Sequence, residues 1–575
     1  MTDIQSDPTT ELVALADEAW TAAMEASPLH ATLIGDRRFL ATLPPNEAGA
    51  SARLAGRYRD LLERVRALPE ELLRDADRVT RLALIDDLEH RLGLAEADVD
   101  RWAVDPLDGP QVQFLNVPSY QPLATAADAE ATLERWRAMG PWIDRHVAGM
   151  RAAAAEGLIA PRALVDSVAD ELADLLAAPI DASPLGEPGR TTKPDWPAAD
   201  RERFAAAIAA AVRDEIRPAF ERQRAFLVDE LRPIARPDDR AGLSFVPGGE
   251  LAYRRLVRAH TTLDLEPDAI HATGVQEVAR IDGEFAELGA AVLGTAGTAA
   301  TLARLRDDPA LRFASRDEVR ATAEDALRRA TDAIGGWFGR LPVASCEVVV
   351  MGDHETKHST IAYYRQPAAD GSRPGRYYIN TSEPETRPRY EAEVLAFHEA
   401  VPGHHLQIAI AQELAGLPAF RRFGGPTAYV EGWGLYTERL SDEMGLYSGP
   451  LDRFGILSYD AWRACRLVVD TGLHALGWSR GRAIAYMLEH TALAENNIVN
   501  EVDRYLAMPG QALAYTLGQL ELLRLRRESE AALGGAFDIR GYHDAVLSEG
   551  AVGLATLRGV VQRWAAAGGG SIARE

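Results

Sequence analysis

Cysteine is the scarcest reactive residue in this chain, with two, Cys346 and Cys465, among 575 residues. That number excludes a disulfide framework and a thiolate zinc cluster, and it suits a reducing compartment. Basic charge is also short. Lysine and arginine total 62 against 86 acidic residues, a formal net charge of −24. A nucleic-acid partner would want a basic face, so none is expected. No run of about 18 apolar residues occurs, so no membrane span is expected either. The opening residues Met1-Thr-Asp-Ile-Gln-Ser-Asp-Pro8 carry neither a basic nor an apolar segment, so no signal peptide is expected and the default location is cytoplasmic.

What remains is the composition of a globular protein, 47% hydrophobic and 26% charged, in a chain too long for one simple core. From Thr10 to about Ala235 apolar residues recur every three or four positions among alanine, leucine, glutamate and arginine, which predicts helices almost throughout. Pro161 and the Pro184 to Pro197 stretch read as loops, the second as a mobile segment. Glycine, proline and phenylalanine gather around Gly242 to Gly249 and mark a boundary, giving subdomains 1–240 and 241–575. Helical pattern resumes from Pro267 through about Gly336.

Ser345 to Thr381 differs. Cys346 to Met351, Thr360 to Arg365 and Arg376 to Asn380 are β-branched and aromatic, and Gly371 to Gly375 supplies a turn. A small antiparallel sheet is expected there, with an edge strand able to pair with an extended peptide. Helices follow from Arg389 to near Ala566, broken at Gly424 to Pro426, Gly445 to Pro450 and Met508 to Gly510. The expected fold class is mainly α with this one small sheet.

The chemistry concentrates in Ala396-Phe-His-Glu-Ala-Val-Pro-Gly-His-His-Leu-Gln407. A zinc-hydrolase helix usually carries His-Glu-x-x-His, so that two imidazoles one turn apart chelate the metal and the glutamate activates water. Here the second histidine is late. On a straight helix i+6, His404, points about 240° away from His398, and i+7, His405, lies roughly 10 Å up the axis. Pro402-Gly403 breaks the regular ladder. A bulge that absorbs two residues would bring His404 to the i+4 position.

Glu399 is the candidate general base. A third ligand is expected in Val430-Glu-Gly-Trp-Gly-Leu-Tyr-Thr-Glu438, within a helix begun at Gly425-Pro426. Both Glu431 and Glu438 are available, and Glu431 is preferred because Gly432 and Gly434 leave room for close approach. Oxyanion and substrate groups are sought further on. Asp470 and His474 stand one turn apart, so the carboxylate could orient the imidazole. Arg504, Tyr505, Gln511 and Tyr515 surround a second Pro-Gly break, where Tyr515 could bond an oxyanion. Arg504 or Arg524 could hold a substrate carboxylate. His354 and His358, one turn apart, are a candidate second metal pair.

The segments His398 to Gln407, Glu431 to Glu438, Val469 to His474 with Gly477-Trp478, and Glu501 to Tyr515 together resemble the domain of unknown function 885 family, a bacterial group placed among the zincin-like metallopeptidases. The resemblance covers most of the chain. It implies a helical zincin-like fold of the gluzincin type with a deep channel, which the N-terminal subdomain would cover. It also implies one Zn2+ on His398, His404 and Glu431, with Glu399 as base. The histidine directly after Pro-Gly is the fixed one in the family pattern, which selects His404 over His405.

The function expected is zinc-dependent hydrolysis of short peptides, of carboxypeptidase, dipeptidase or oligopeptidase type. His474 and Tyr515 would assist catalysis, and Arg504, Gln511 and Tyr505 would bind substrate. A metal-dependent amidohydrolase acting on a non-peptide C–N bond is one alternative. A non-catalytic peptide-binding protein on the same scaffold is another, although it would have no use for Glu399.

Overall fold

The structure is a computed structural model that describes residues 7–191, 196–352, 361–368, 371 and 373–570. His354 and His358 lie outside the described residues, as do parts of the expected loop at 184–197 and of the turn at 371–375. Of that loop, Pro184–Gly186 forms one 3-10 turn and Glu187–Arg190 a short helix.

Helices dominate, as the apolar periodicity predicts. The longest, Ala126–Ala155, starts at a capping box in which Thr125 and Asp128 satisfy each other's backbone N–H groups. The helices that build the site and its supporting core are α1 (Pro267–Leu288), α2 (Ala392–Glu399), α3 (His404–Glu413), α4 (Thr427–Glu443), α5 (Arg453–His474), α6 (Glu495–Ala507) and α7 (Ala514–Leu533). The centre is α5, in which every residue except Arg453 and Trp462 is buried. It packs along α1, while α4 packs along α7. At this second crossing a side chain on Gly432 would stand 2.5 Å from the Gly518 Cα, so paired glycines set how closely the two backbones approach.

The β-rich segment forms β1 (Cys346–Val350), β2 (Ala362–Arg365) and β3 (Gly375–Ile379). The sheet is mixed, not antiparallel: β3 lies between the other two, parallel to β1 and antiparallel to β2. In register, Tyr377 of β3 faces Val348 on one side and Tyr364 on the other. Its buried residues alternate, Gly375, Tyr377 and Ile379, so one face of β3 meets the core. Tyr377 and Ile379 share that core with Ala396 and Phe397 of α2, which fixes the sheet beside α2.

Two large cores hold the molecule. One gathers Trp136, Ile216, Phe285, Val468 and Ile498, the other Leu61, Leu84, Phe397, Trp433 and Leu557. Residues from before and after position 240 contribute to both. Among the described residues no single helix is long and apolar enough to cross a membrane.

Candidate metal centre

The histidine-rich segment is two helices, not one helix with a bulge. After α2 ends at Glu399 the chain turns through Ala400 to Gly403, with a cis bond between Val401 and Pro402, and α3 begins at His404. Proline has no N–H to continue the ladder. Glycine is required next to it, because a Cβ on Gly403 would lie 1.9 Å from the His398 carbonyl oxygen. The turn is tied down from α4, where the Trp433 indole N–H donates to the Pro402 carbonyl at 3.0 Å. This break, in place of the expected bulge, carries His404 back beside His398, with ring centroids 4.6 Å apart.

Glu431, on the second turn of α4, completes the group. One nitrogen of each histidine and one Glu431 oxygen lie within 4.8 Å of one another. The Glu431 Oε2 is 3.7 Å from His398 Nε2 and 3.5 Å from His404 Nε2. All three are buried or nearly so. The His398 ring occupies space that α4 leaves open, since a Cβ on Gly434 would come within 2.6 Å of its Cε1 atom. Glu438, the other glutamate of α4, sits one step further out. It accepts a hydrogen bond from His398 Nδ1 at 2.8 Å, which leaves Nε2 facing Glu431. A carboxylate behind an imidazole in this way fixes the tautomer and makes the free nitrogen a better donor to a metal.

The electrostatics are those of a shared charge. Burial pulls the His398 imidazole down, but hydrogen bonds to Glu431 and Glu438 outweigh it and push the group up to about 9. Burial works against ionisation of Glu431, yet the two histidines hold its carboxyl well below the usual range. Two imidazole nitrogens and a carboxylate oxygen form a donor set suited to zinc.

His405 points elsewhere. Its Nε2 donates to the Ala344 carbonyl at 3.0 Å and its Nδ1 meets the Tyr364 hydroxyl at 3.0 Å. Burial holds it near 4, so it is neutral at pH 7. Glu399 ends α2 directly after His398 and is partly exposed. Its charge reaches both His398 and the buried Tyr377 of β3. A cavity of 330 Å³ lies between the N-terminal helices and the stretch from Gln407 to Val430. Trp20, His30, His90, Gln407, Arg422 and Val430 are among the residues that line it. Gln407 lies on the ligand helix α3 and Val430 on α4, but none of His398, Glu399, His404 and Glu431 lines this cavity.

The remaining candidates are engaged with other partners. Asp470 does not meet His474 as the helical spacing suggests. Its Oδ1 accepts from the Tyr253 hydroxyl at 2.6 Å, and both its oxygens accept from the Gly510 N–H. His474 accepts from the Leu243 N–H and donates to the Tyr505 carbonyl, and burial lowers it to about 3. Tyr505 donates to Glu501 at 2.7 Å, and Arg504 donates to Gln511 at 2.6 Å. Tyr515 lies under the Arg466 guanidinium, 4.3 Å from ring centroid to Cζ. Arg524 is paired with Glu521 and Glu528 on its own helix.

Sequence reasoning misses Arg463 and Arg466 and gives Glu438 no role behind His398. No local signal marks the arginines, since a cation on a helix is normally solvated.

Fold and cluster together define a mainly helical protein with a buried His2Glu donor set at the junction of α2, α3 and α4. Residues 28–561 match the family described as "Bacterial protein of unknown function (DUF885)", and the chain belongs to that family. A crystal structure from Colwellia psychrerythraea, described as that of a "putative lipoprotein", is similar over 98% of this chain and all of its own, with 27% identity and a TM-score of 0.90. A second, from Shewanella oneidensis and described as a "putative lipoprotein of unknown function", shares the fold at 16% identity and a TM-score of 0.71, over 96% of this chain and 99% of its own. No curated protein matches the chain.

Proposed function

We propose that this protein is a zinc-dependent peptidase of short peptides, of zincin type, with His398, His404 and Glu431 as ligands. The observation that carries the reading is the convergence of these side chains from three helices, with Glu399 next to the first ligand. A bound zinc would polarise the scissile carbonyl and lower the pKa of water. Glu399 then takes the proton of the attacking water and delivers it to the leaving amine. Glu438 holds the His398 ring in position through the 2.8 Å bond to Nδ1. Trp433, bonded to the Pro402 carbonyl, keeps the turn between the two ligand helices closed.

Zinc-loaded protein is expected to hydrolyse members of a short-peptide library, and Glu399→Gln to retain its zinc but lose that hydrolysis. Cleavage undiminished in Glu399→Gln would remove the general-base assignment. Zinc binding without any cleavage would leave a peptide-binding protein.

A further inference from the structure

Two cations are buried in α5 without enough partners. Arg463 and Arg466 are 5% and 2% exposed. Nε and Nη1 of Arg463, and Nη1 of Arg466, have no hydrogen-bond partner among the described residues. Aromatic rings wall them in. The Arg463 guanidinium lies 4.2 Å from the Tyr459 ring centroid and 4.1 Å from that of Trp462, and Arg466 lies 4.7 Å from Trp462 and 4.3 Å from Tyr515.

Acidic compensation is limited. Glu501 bonds Arg466 at 2.9 Å and also approaches Arg504 at 3.7 Å. The same carboxylate already accepts from the Tyr505 hydroxyl and the Trp462 indole. Arg466 and Arg504 thus share one carboxylate that is already engaged. A buried guanidinium with idle N–H groups is costly, and an arriving anion removes that cost. The planar fork of arginine matches a carboxylate in particular. Arg463 also lies close enough to Glu438, the carboxylate that holds His398, for its charge to act on that group.

We propose that Arg463 and Arg466 form the receptor for a carboxylate of the peptide substrate, which selects peptides that carry a carboxylate close to the bond cleaved. This rests on the peptidase reading for its meaning but is testable without it. A terminal carboxylate and an acidic side chain share the same chemistry, and the probes separate them.

Binding is measured by calorimetry on the full chain carrying Glu399→Gln, which prevents turnover. The probes are Ala-Ala-Phe, its C-terminal amide, and Ala-Glu-Phe amide. The free acid is expected to bind at least about tenfold tighter than the amide, as loss of a charge-assisted pair implies. Affinity regained in Ala-Glu-Phe amide would assign the receptor to an acidic side chain, and affinity still missing there assigns it to the terminus. Adding Arg463→Met or Arg466→Met should erase the discrimination while zinc content stays the same.

Arg463→Met removes an under-paired buried charge, so its thermal midpoint should not fall. If Arg466→Met fails to fold, the comparison of acid with amide in the parent chain still decides. Equal binding of all three peptides, no binding of the free acid, or discrimination that survives both substitutions would overturn the proposal. Absence of zinc and of cleavage in the unsubstituted protein, with discrimination intact, would instead reject the peptidase reading and keep the receptor.

Discussion

Gly434 offers a test in which geometry sets the size of the effect. A methyl group there would stand 2.6 Å from His398 Cε1 and 2.9 Å from both ring nitrogens. Ordinary carbon contacts need about 3.5 Å or more, so the ring must retreat by roughly 1 Å. Functional constellations tolerate displacements of only about 0.5 Å. Gly434→Ala should therefore weaken zinc binding at least about 100-fold, which is roughly 3 kcal/mol.

Folding should suffer much less. Overpacking costs about 1–3 kcal/mol, while alanine regains about 1 kcal/mol of helix propensity within α4. The assay is zinc titration against a chelating dye, with thermal unfolding of the metal-stripped protein as control. A Gly434→Ala protein that binds zinc as tightly as the parent would refute the placement of His398 against α4. A collapse of the metal-stripped fold would show that packing, not ligand geometry, is what Gly434 protects.

The same contacts set further outcomes. Glu438→Gln keeps the shape but removes the charge behind His398, so zinc affinity should fall about 10–100-fold, measured by the same titration. His405→Ala should retain zinc, because its ring is committed to Ala344 and Tyr364, and should lose about 1–3 kcal/mol in chemical denaturation. Burial raises the Asp470 carboxyl to about 7. Between about 4 and that value the folded protein keeps a proton that the unfolded chain releases, so this group's contribution falls as pH rises, by a total on the order of 2–4 kcal/mol. Asp470→Asn should flatten the difference in denaturation free energy between pH 5 and pH 8, and an unchanged slope would contradict it.

The helical segments and the three β-rich stretches are legible in the sequence because periodicity is a local property. Pairing within the sheet is not, since β3 inserts between β1 and β2 and only tertiary packing decides which edges meet. His398, His404 and Glu431 can be nominated from residue type and spacing. The way they come together cannot: Pro402-Gly403 ends one helix and starts another, where spacing suggests a single bulged helix. Helical spacing also misleads at Asp470. Its partners Tyr253 and Gly510 arrive from remote parts of the chain, and they outcompete a histidine four residues away on the same helix. Arg463 and Arg466 escape notice because a cation on a helix is normally solvated, and only burial on all sides of α5 makes them stand out.

Zinc content is the decisive quantity for the metal centre. It is measured by elemental analysis of protein purified without chelator or metal-binding tag, alongside His398→Ala, His404→Ala and Glu431→Ala. About one zinc per chain is expected in the parent, from the single His2Glu set, and none in any of the three variants. A parent chain that takes up no zinc when the ion is supplied, or a variant that keeps it, would contradict the assignment of these three ligands.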